Sequence, residues 1–153
     1  MRFQLKNVLA MFAVMFMLFA VVQVSPASAA IADGQYTINY KVLKDQTNQP
    51  SRLGDYTEYP AKLVVQNGKQ FVHLKILSSS LITAFKTNQN GVLTNAEVVS
   101  SDAAANTRVV KFEVPNLSAK LNAYSEIYIP FIGYTGKYNV QLQFEPNTIT
   151  PAI

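Results

Sequence analysis

The chain has 153 residues, a formal net charge of +4 and no cysteine, so Cys-metal sites, thiol nucleophiles and redox dithiols are excluded outright. A single histidine, His73, would leave a zinc site dependent on carboxylates, and no two basic residues are adjacent, which argues against the basic patch that a nucleic-acid backbone requires. The nine acidic residues are dispersed in polar or turn contexts, with no nucleophile arrangement beside the histidine and no phosphate-cradling glycine loop, so the chain reads as a non-enzyme.

In chain order, Arg2 and Lys6 precede a run from Leu9 to Val22 that is apolar at every position. Pro26 and the small residues Ala27-Ser28-Ala29-Ala30 follow, and their A-x-A pattern puts cleavage after Ala29. This is the layout of a signal peptide over residues 1–29. An uncleaved anchor is the alternative, because the run falls only slightly short of the ~20 residues that cross a bilayer. Cleavage removes all four methionines and two of the thirteen basic residues, leaving eleven against nine acidic ones, a mature charge of about +2. The remainder is long enough for one domain with its own core. Its expected extent is residues 30–146, followed by a loosely held tail over 147–153. With no apolar tail or sorting sequence before Ile153, the mature chain is expected to be secreted, at most loosely wall-associated, and not inserted in a membrane.

Period-two alternation dominates the mature sequence. Tyr36, Ile38, Tyr40 and Val42 point one way and Thr37, Asn39 and Lys41 the other, the pattern of a half-buried strand. Residues 62–65 and 69–77 flank Asn67-Gly68, which favours a hairpin turn with positive φ at both central residues. The second arm buries Val72, Leu74 and Ile76 and turns Phe71, His73 and Lys75 outward. Further strands are expected at 81–85, before the Asn90-Gly91 turn, and at 93–99, 107–114, 127–129 and 138–144. The last carries Tyr138, Val140, Leu142 and Phe144 on one face. Seven or eight short strands at this spacing predict an antiparallel β-sandwich. Residues 51–56 and 116–121 make at most a turn or two of helix, and Gly133 and Gly136 mark a tight connection before the last strand.

Two segments could carry function. Tyr134 and Tyr138 are four apart, a spacing that puts both phenols on one face of a strand but beyond contact unless the Thr135-Gly136-Lys137 stretch bends. A phenol with an ordinary pKa near 10 binds ferric iron only once deprotonated. The iron's own charge helps, as does a second hydroxyl donating to the phenolate oxygen. Tyrosine is an axial haem ligand type that favours the ferric state. Two ordinary sheet tyrosines with wet hydroxyls would leave the same pattern. The second segment is Ser51-Arg52-Leu53-Gly54-Asp55-Tyr56, where Pro50-Ser51 suits entry into a short helix whose free N–H groups attract anions. Ser51 can donate to a propionate, Arg52 can offset its charge, and Leu53 and Tyr56 can cover a porphyrin edge. An ordinary loop is the competing reading.

The ordered set Asp33 to Tyr40, Ser51 to Tyr56, Tyr59 to Val65, Asn67-Gly68-Lys69, Leu81 to Phe85, Asn106 to Val114 and Tyr134 to Tyr138 resembles the NEAT domains of Gram-positive iron-regulated surface proteins and secreted haemophores. The resemblance covers nearly the whole mature chain and implies an immunoglobulin-like antiparallel β-sandwich with a short 3-10 helical lip. It implies a cargo of ferric protoporphyrin IX, haem b. Tyr134, the first tyrosine of the family's Y-x-x-x-Y signature, would bind the iron, and Tyr138 would hydrogen-bond Tyr134. Ser51 would hold a propionate, with Arg52 beside it, Leu53 and Tyr56 closing the pocket, and Ile129 packing on the ring. Leu81 or Ile82 would stand near the position of a floor residue that is aromatic in several members and is not aromatic here. Members that bind haemoglobin without haem typically lose the first signature tyrosine, and this chain keeps both. The function implied is that of a monomeric haemophore. It takes haem from haemoglobin and passes it to wall-anchored NEAT proteins. The alternative is an adhesion module that binds haemoglobin or another host protein and holds no haem.

Overall fold

The computed structural model describes residues 29–153; the expected signal peptide lies, apart from Ala29, outside the described residues. The class is all-β and antiparallel, as expected, with nine strands: β1 (Gly34–Lys44), β2 (Ala61–Gln66), β3 (Lys69–Ile76), β4 (Ile82–Gln89), β5 (Val92–Asn95), β6 (Glu97–Asp102), β7 (Thr107–Glu113), β8 (Leu121–Ile129) and β9 (Tyr134–Pro151). Two short 3-10 helices, Arg52–Tyr56 and Pro130–Ile132, complete it. Among the described residues no helix is long and apolar enough to cross a membrane.

The strands form one continuous sheet in the order β5-β4-β8-β9-β1-β2-β3-β7-β6. Its two edges, β5 and β6, are consecutive in sequence and separated only by Ala96. Two residues of extended chain reach about 7 Å. The sheet must therefore curl until its edges meet, and it is nearly closed into a barrel. Ties cross the seam: Gln89 on β4 donates to the Glu113 carbonyl on β7, and Arg108 on β7 donates to the carbonyls of Ser79 and Ile82. The count exceeds the expected seven or eight because the run 93–99 is broken at Ala96 into two strands on opposite edges.

Local chemistry sets the hairpins. Asn67 and Gly68 both have positive φ, 52° and 73°, as the Asn-Gly turn requires, and the Asp33 carboxylate accepts from both of their N–H groups. Asn90 and Gly91 repeat this geometry between β4 and β5. Alternation then fills the interior with Ile38, Leu63, Val72, Leu74, Ile76, Val110, Val140 and Leu142, all almost fully buried. Residues 116–121, expected to hold a helical turn, instead form a turn stabilised by the Asn116 side chain, which accepts from Ser118 N–H before β8 begins. The segment after Pro146 is not loose. Following a bulge, Thr150 and Pro151 pair with Thr37 and Tyr36, and the hydroxyls of Thr37 and Thr150 lie 2.8 Å apart.

His73 lies half-buried on the outer face, cross-strand from Lys62 and Lys111. Partial burial, and then the two lysines, lower its pKa from the ordinary 6.5, against a weaker opposing pull from Glu97. The unfolded chain therefore protonates first as pH falls. Stability is expected to decline once pH drops below 6.5 and to level off below the lowered folded value. Denaturant unfolding of the wild type and His73→Gln between pH 8 and pH 5 checks this; equal slopes in the two proteins would remove His73 as the cause.

Candidate functional site

The inner face of β9 carries the even-numbered residues. Phe144, Leu142 and Val140 lie in the core, while Tyr138 and Tyr134 continue the same face to 37% and 44% exposure. On β8, buried Ile127 and half-buried Ile129 run beside them, paired with Gly136 and Tyr134. The interior face thus runs past the end of the core and becomes one wall of a cleft. The cleft has a volume of about 730 Å³, within the roughly 300–1,000 Å³ of small-molecule sites.

The opposite wall is the lip. Beyond β1 the chain doubles back, with Pro50 bridged to Leu43 and the Ser51 N–H donating to the Val42 carbonyl. Ser51 is extended at φ −91° and ψ 143°, and its Oγ accepts from the Leu53 N–H at 3.3 Å, capping the Arg52–Tyr56 helix. Because Oγ acts as acceptor there, its proton remains available to the cleft. Leu53 is the buried residue of this helix, at 3% exposure, and it anchors the lip in the core. Tyr56 is half-buried facing the cleft, and Arg52 is exposed at its rim.

The phenolic oxygens of Tyr134 and Tyr138 are 2.8 Å apart. The hydrogen bond with Tyr134, then partial desolvation, raises the Tyr138 pKa above its usual value, and Arg52 acts in the opposite direction. A raised pKa suits Tyr138 to keep its proton and donate.

Ser51, Arg52, Leu53, Tyr56, Ile129, Tyr134 and Tyr138 all line this one cleft. Leu81 and Ile82 do not. Ile82 is 1% exposed in the core and borders a different cavity with Ala84 and Arg108, while Leu81 precedes β4 and packs half-buried against the core. The turn over Ser78–Leu81 fixes the phase of β4, so Ile82 falls on the inner face. Lys44, Pro50, Asp55, Ile127 and Asn139 also line the cleft, and sequence reasoning missed them. Two of these were within reach of the alternation argument. Lys44 shares the parity of Ile38, Tyr40 and Val42, and Ile127 that of Ile129. Among the described residues neither Lys44 nor Arg52 has a carboxylate partner within 4.0 Å, so the rim is cationic above apolar walls.

The chain is similar to several known proteins. Residues 29–146 match the family model for NEAT, the iron transport-associated domain. The chain is 36% identical to hemin/hemoglobin-binding protein 2 of Listeria monocytogenes over 124 residues, 80% of this chain and 22% of that protein. It is 28% identical to iron-regulated surface determinant protein C of Staphylococcus aureus over 151 residues, 94% of this chain and 64% of that protein. It thus spans less than two thirds of the length of these relatives. Among solved structures, the NEAT5 domain of IsdX2, a B. anthracis hemophore in complex with heme, is 47% identical with a TM-score of 0.74. That match covers 75% of this chain and 98% of that domain. A family match over residues 29–146, on a nearly closed antiparallel sheet, identifies this chain as a member of the NEAT family.

Proposed function

We propose that the chain binds ferric haem in the cleft between the lip and the β8–β9 hairpin and carries it as transferable cargo. The observation that carries this reading is the pair of phenols in hydrogen-bond contact on the cleft wall, facing a lip with a free hydroxyl and a cationic rim. The donor set fits the cargo at each of its parts. The Tyr134 oxygen is a hard anionic ligand for ferric iron, and Tyr138 donates to it. Ser51 donates to a propionate, Arg52 and Lys44 offset its charge, and Leu53, Tyr56, Ile127 and Ile129 supply apolar contact. Names of similar proteins support the same cargo, a hemophore in complex with heme and hemin/hemoglobin-binding proteins.

With Tyr134 as the one protein ligand, transfer would be a ligand exchange in which a recipient's donor replaces the phenolate, which regains its proton, and nothing would be oxidised or cleaved. Haemoglobin is the proposed donor and wall-anchored NEAT proteins the proposed acceptors, with the chain exported by its leader and acting as a monomer. Titration with ferric haem is expected to give a visible spectrum of the phenolate-ligated type. Mixing the empty protein with methaemoglobin should then shift Soret absorbance to this chain. Absence of any spectral change with free haem would end the haem reading and leave the haemoglobin-binding module in its place.

Ser51→Ala is expected to speed haem loss by about 10- to 100-fold, since hydrogen bonds to charged groups contribute about 1.5–3 kcal/mol. Because the cap bond is long, its loss should lower stability by no more than about 1 kcal/mol. Stopped-flow transfer to an apo-haem acceptor measures the first effect and thermal melting the second. An unchanged release rate would show that the lip hydroxyl does not grip the cargo.

A further inference from the structure

Residues four apart on a strand lie about 13 Å apart along it, and side chains standing perpendicular to the sheet keep their tips nearly that far apart. The Tyr134 and Tyr138 hydroxyls nevertheless meet at 2.8 Å. A bend in the strand does not bring them together, because β8 and β9 stay in unbroken register from Ile129↔Tyr134 to Leu121↔Leu142. The ring of Tyr138 instead lies back along the strand, over Gly136. A Cβ built on Gly136 would sit 2.6 Å from the ring's Cε2, 2.7 Å from its hydroxyl oxygen and 2.9 Å from Cζ, closer than real Cβ atoms approach. The backbone of Gly136 is accordingly buried, although its neighbours Thr135 and Lys137 are exposed. Its φ is not in the left-handed region, so conformational freedom does not explain a glycine here. Within a strand glycine costs stability and marks close approach.

We propose that Gly136 is a positioning residue of the site: by carrying no side chain it leaves the space in which Tyr138 lies flat and delivers its hydroxyl to Tyr134. The proposal deepens the haem reading and rests on it for its functional half. Its geometric half concerns the empty protein alone. Any side chain at 136 lifts the Tyr138 ring away from the strand and separates the two oxygens. Tyr134 then meets the iron without its hydrogen-bond donor, and the cargo is held less firmly.

The test begins on the empty protein, read by proton NMR. In the wild type, the Gly136 Hα resonances are expected far upfield under the Tyr138 ring, and Tyr138→Leu should return them to ordinary positions. The nuclear Overhauser contacts between the Tyr134 and Tyr138 rings expected in the wild type, whose hydroxyls lie 2.8 Å apart, should be lost in Gly136→Ala. Once loaded with ferric haem, Gly136→Ala should release it about 10- to 100-fold faster, the usual effect of removing a partner of a metal ligand. It should add nothing in a Tyr138→Phe background, where a purely structural defect would add its full effect. Ordinary Hα positions in the wild type, ring contacts that persist in Gly136→Ala, or additive release rates would each overturn the proposal. If Gly136→Ala does not fold, the wild-type and Tyr138→Leu spectra decide. If the wild type takes up no haem, the functional reading falls, and the ring contacts of the empty protein still decide the geometry.

Discussion

Tyr134→Phe is expected to abolish the phenolate-type spectrum of the ferric-haem complex and to weaken haem retention by at least about 100-fold. Removing an outer partner of a metal ligand typically costs 10–100-fold, and the ligand itself contributes more. Phenylalanine keeps the ring and its contact area while deleting the oxygen that faces the iron. The empty fold should be indifferent, because Tyr134 is 44% exposed and surface substitutions usually change stability by less than about 0.5 kcal/mol. A second signature accompanies the first. The hydrogen bond to Tyr134 is the leading cause of the raised Tyr138 pKa, so its loss should lower that titration. A loaded Tyr134→Phe protein with the wild-type spectrum would refute the ligand assignment, whatever its affinity.

Leu53→Ala should produce the largest loss of stability at the site, about 2–5 kcal/mol, a large share of the 5–15 kcal/mol that holds a typical domain together. The lip is a single short turn whose own hydrogen bonds run from Gly54 N–H to the Ser51 carbonyl and from Thr57 N–H to the Gly54 carbonyl. Such a turn does not hold its position alone, and Leu53, at 3% exposure, joins it to the core. Shortening that side chain leaves a void and releases the segment that carries Ser51, Arg52 and Tyr56. Haem release should therefore accelerate more than in Ser51→Ala, which removes a hydroxyl and leaves the anchor in place. Calorimetric melting and stopped-flow release of the two variants side by side would decide it; a Leu53→Ala protein that melts and releases haem like the wild type would show that the lip is held by other means.

Much of this was legible in the residues, and the part that was not has a physical reason. Strand positions followed from period-two alternation, and the hairpin turns from Asn67-Gly68 and Asn90-Gly91, because both signals are local. The break at Ala96 was not legible. Leu93 to Val99 carries no glycine or proline, and its division arises from where the two edges of a curled sheet meet, which is a long-range property. At the site, the spacing of Tyr134 and Tyr138 and the Pro50-Ser51 start of the lip pointed to the residues that the fold brings together. Their means of contact was left open: a bend over Thr135-Gly136-Lys137 was the one route considered, and the structure instead lays the Tyr138 ring over Gly136, a matter of ring orientation that leaves no trace in spacing. Leu81 and Ile82 were misplaced because the phase of β4 is set by the preceding turn. Asn139 was overlooked because it has the opposite parity to Tyr134 and Tyr138 on β9 and lines the cleft nonetheless.

The cleft is where the domain's interior face stops without a cover. Buried Ile127 and half-buried Ile129 extend the stack of core side chains to the wall of the cleft. A flat apolar cargo seated there supplies the layer that the chain omits. Occupancy and durability are then linked by mass action, because anything bound only by the native form stabilises it in proportion to the logarithm of its concentration over the dissociation constant. Full carriers would outlast empty ones wherever proteases patrol, so the pool in circulation would be enriched in molecules with something to deliver.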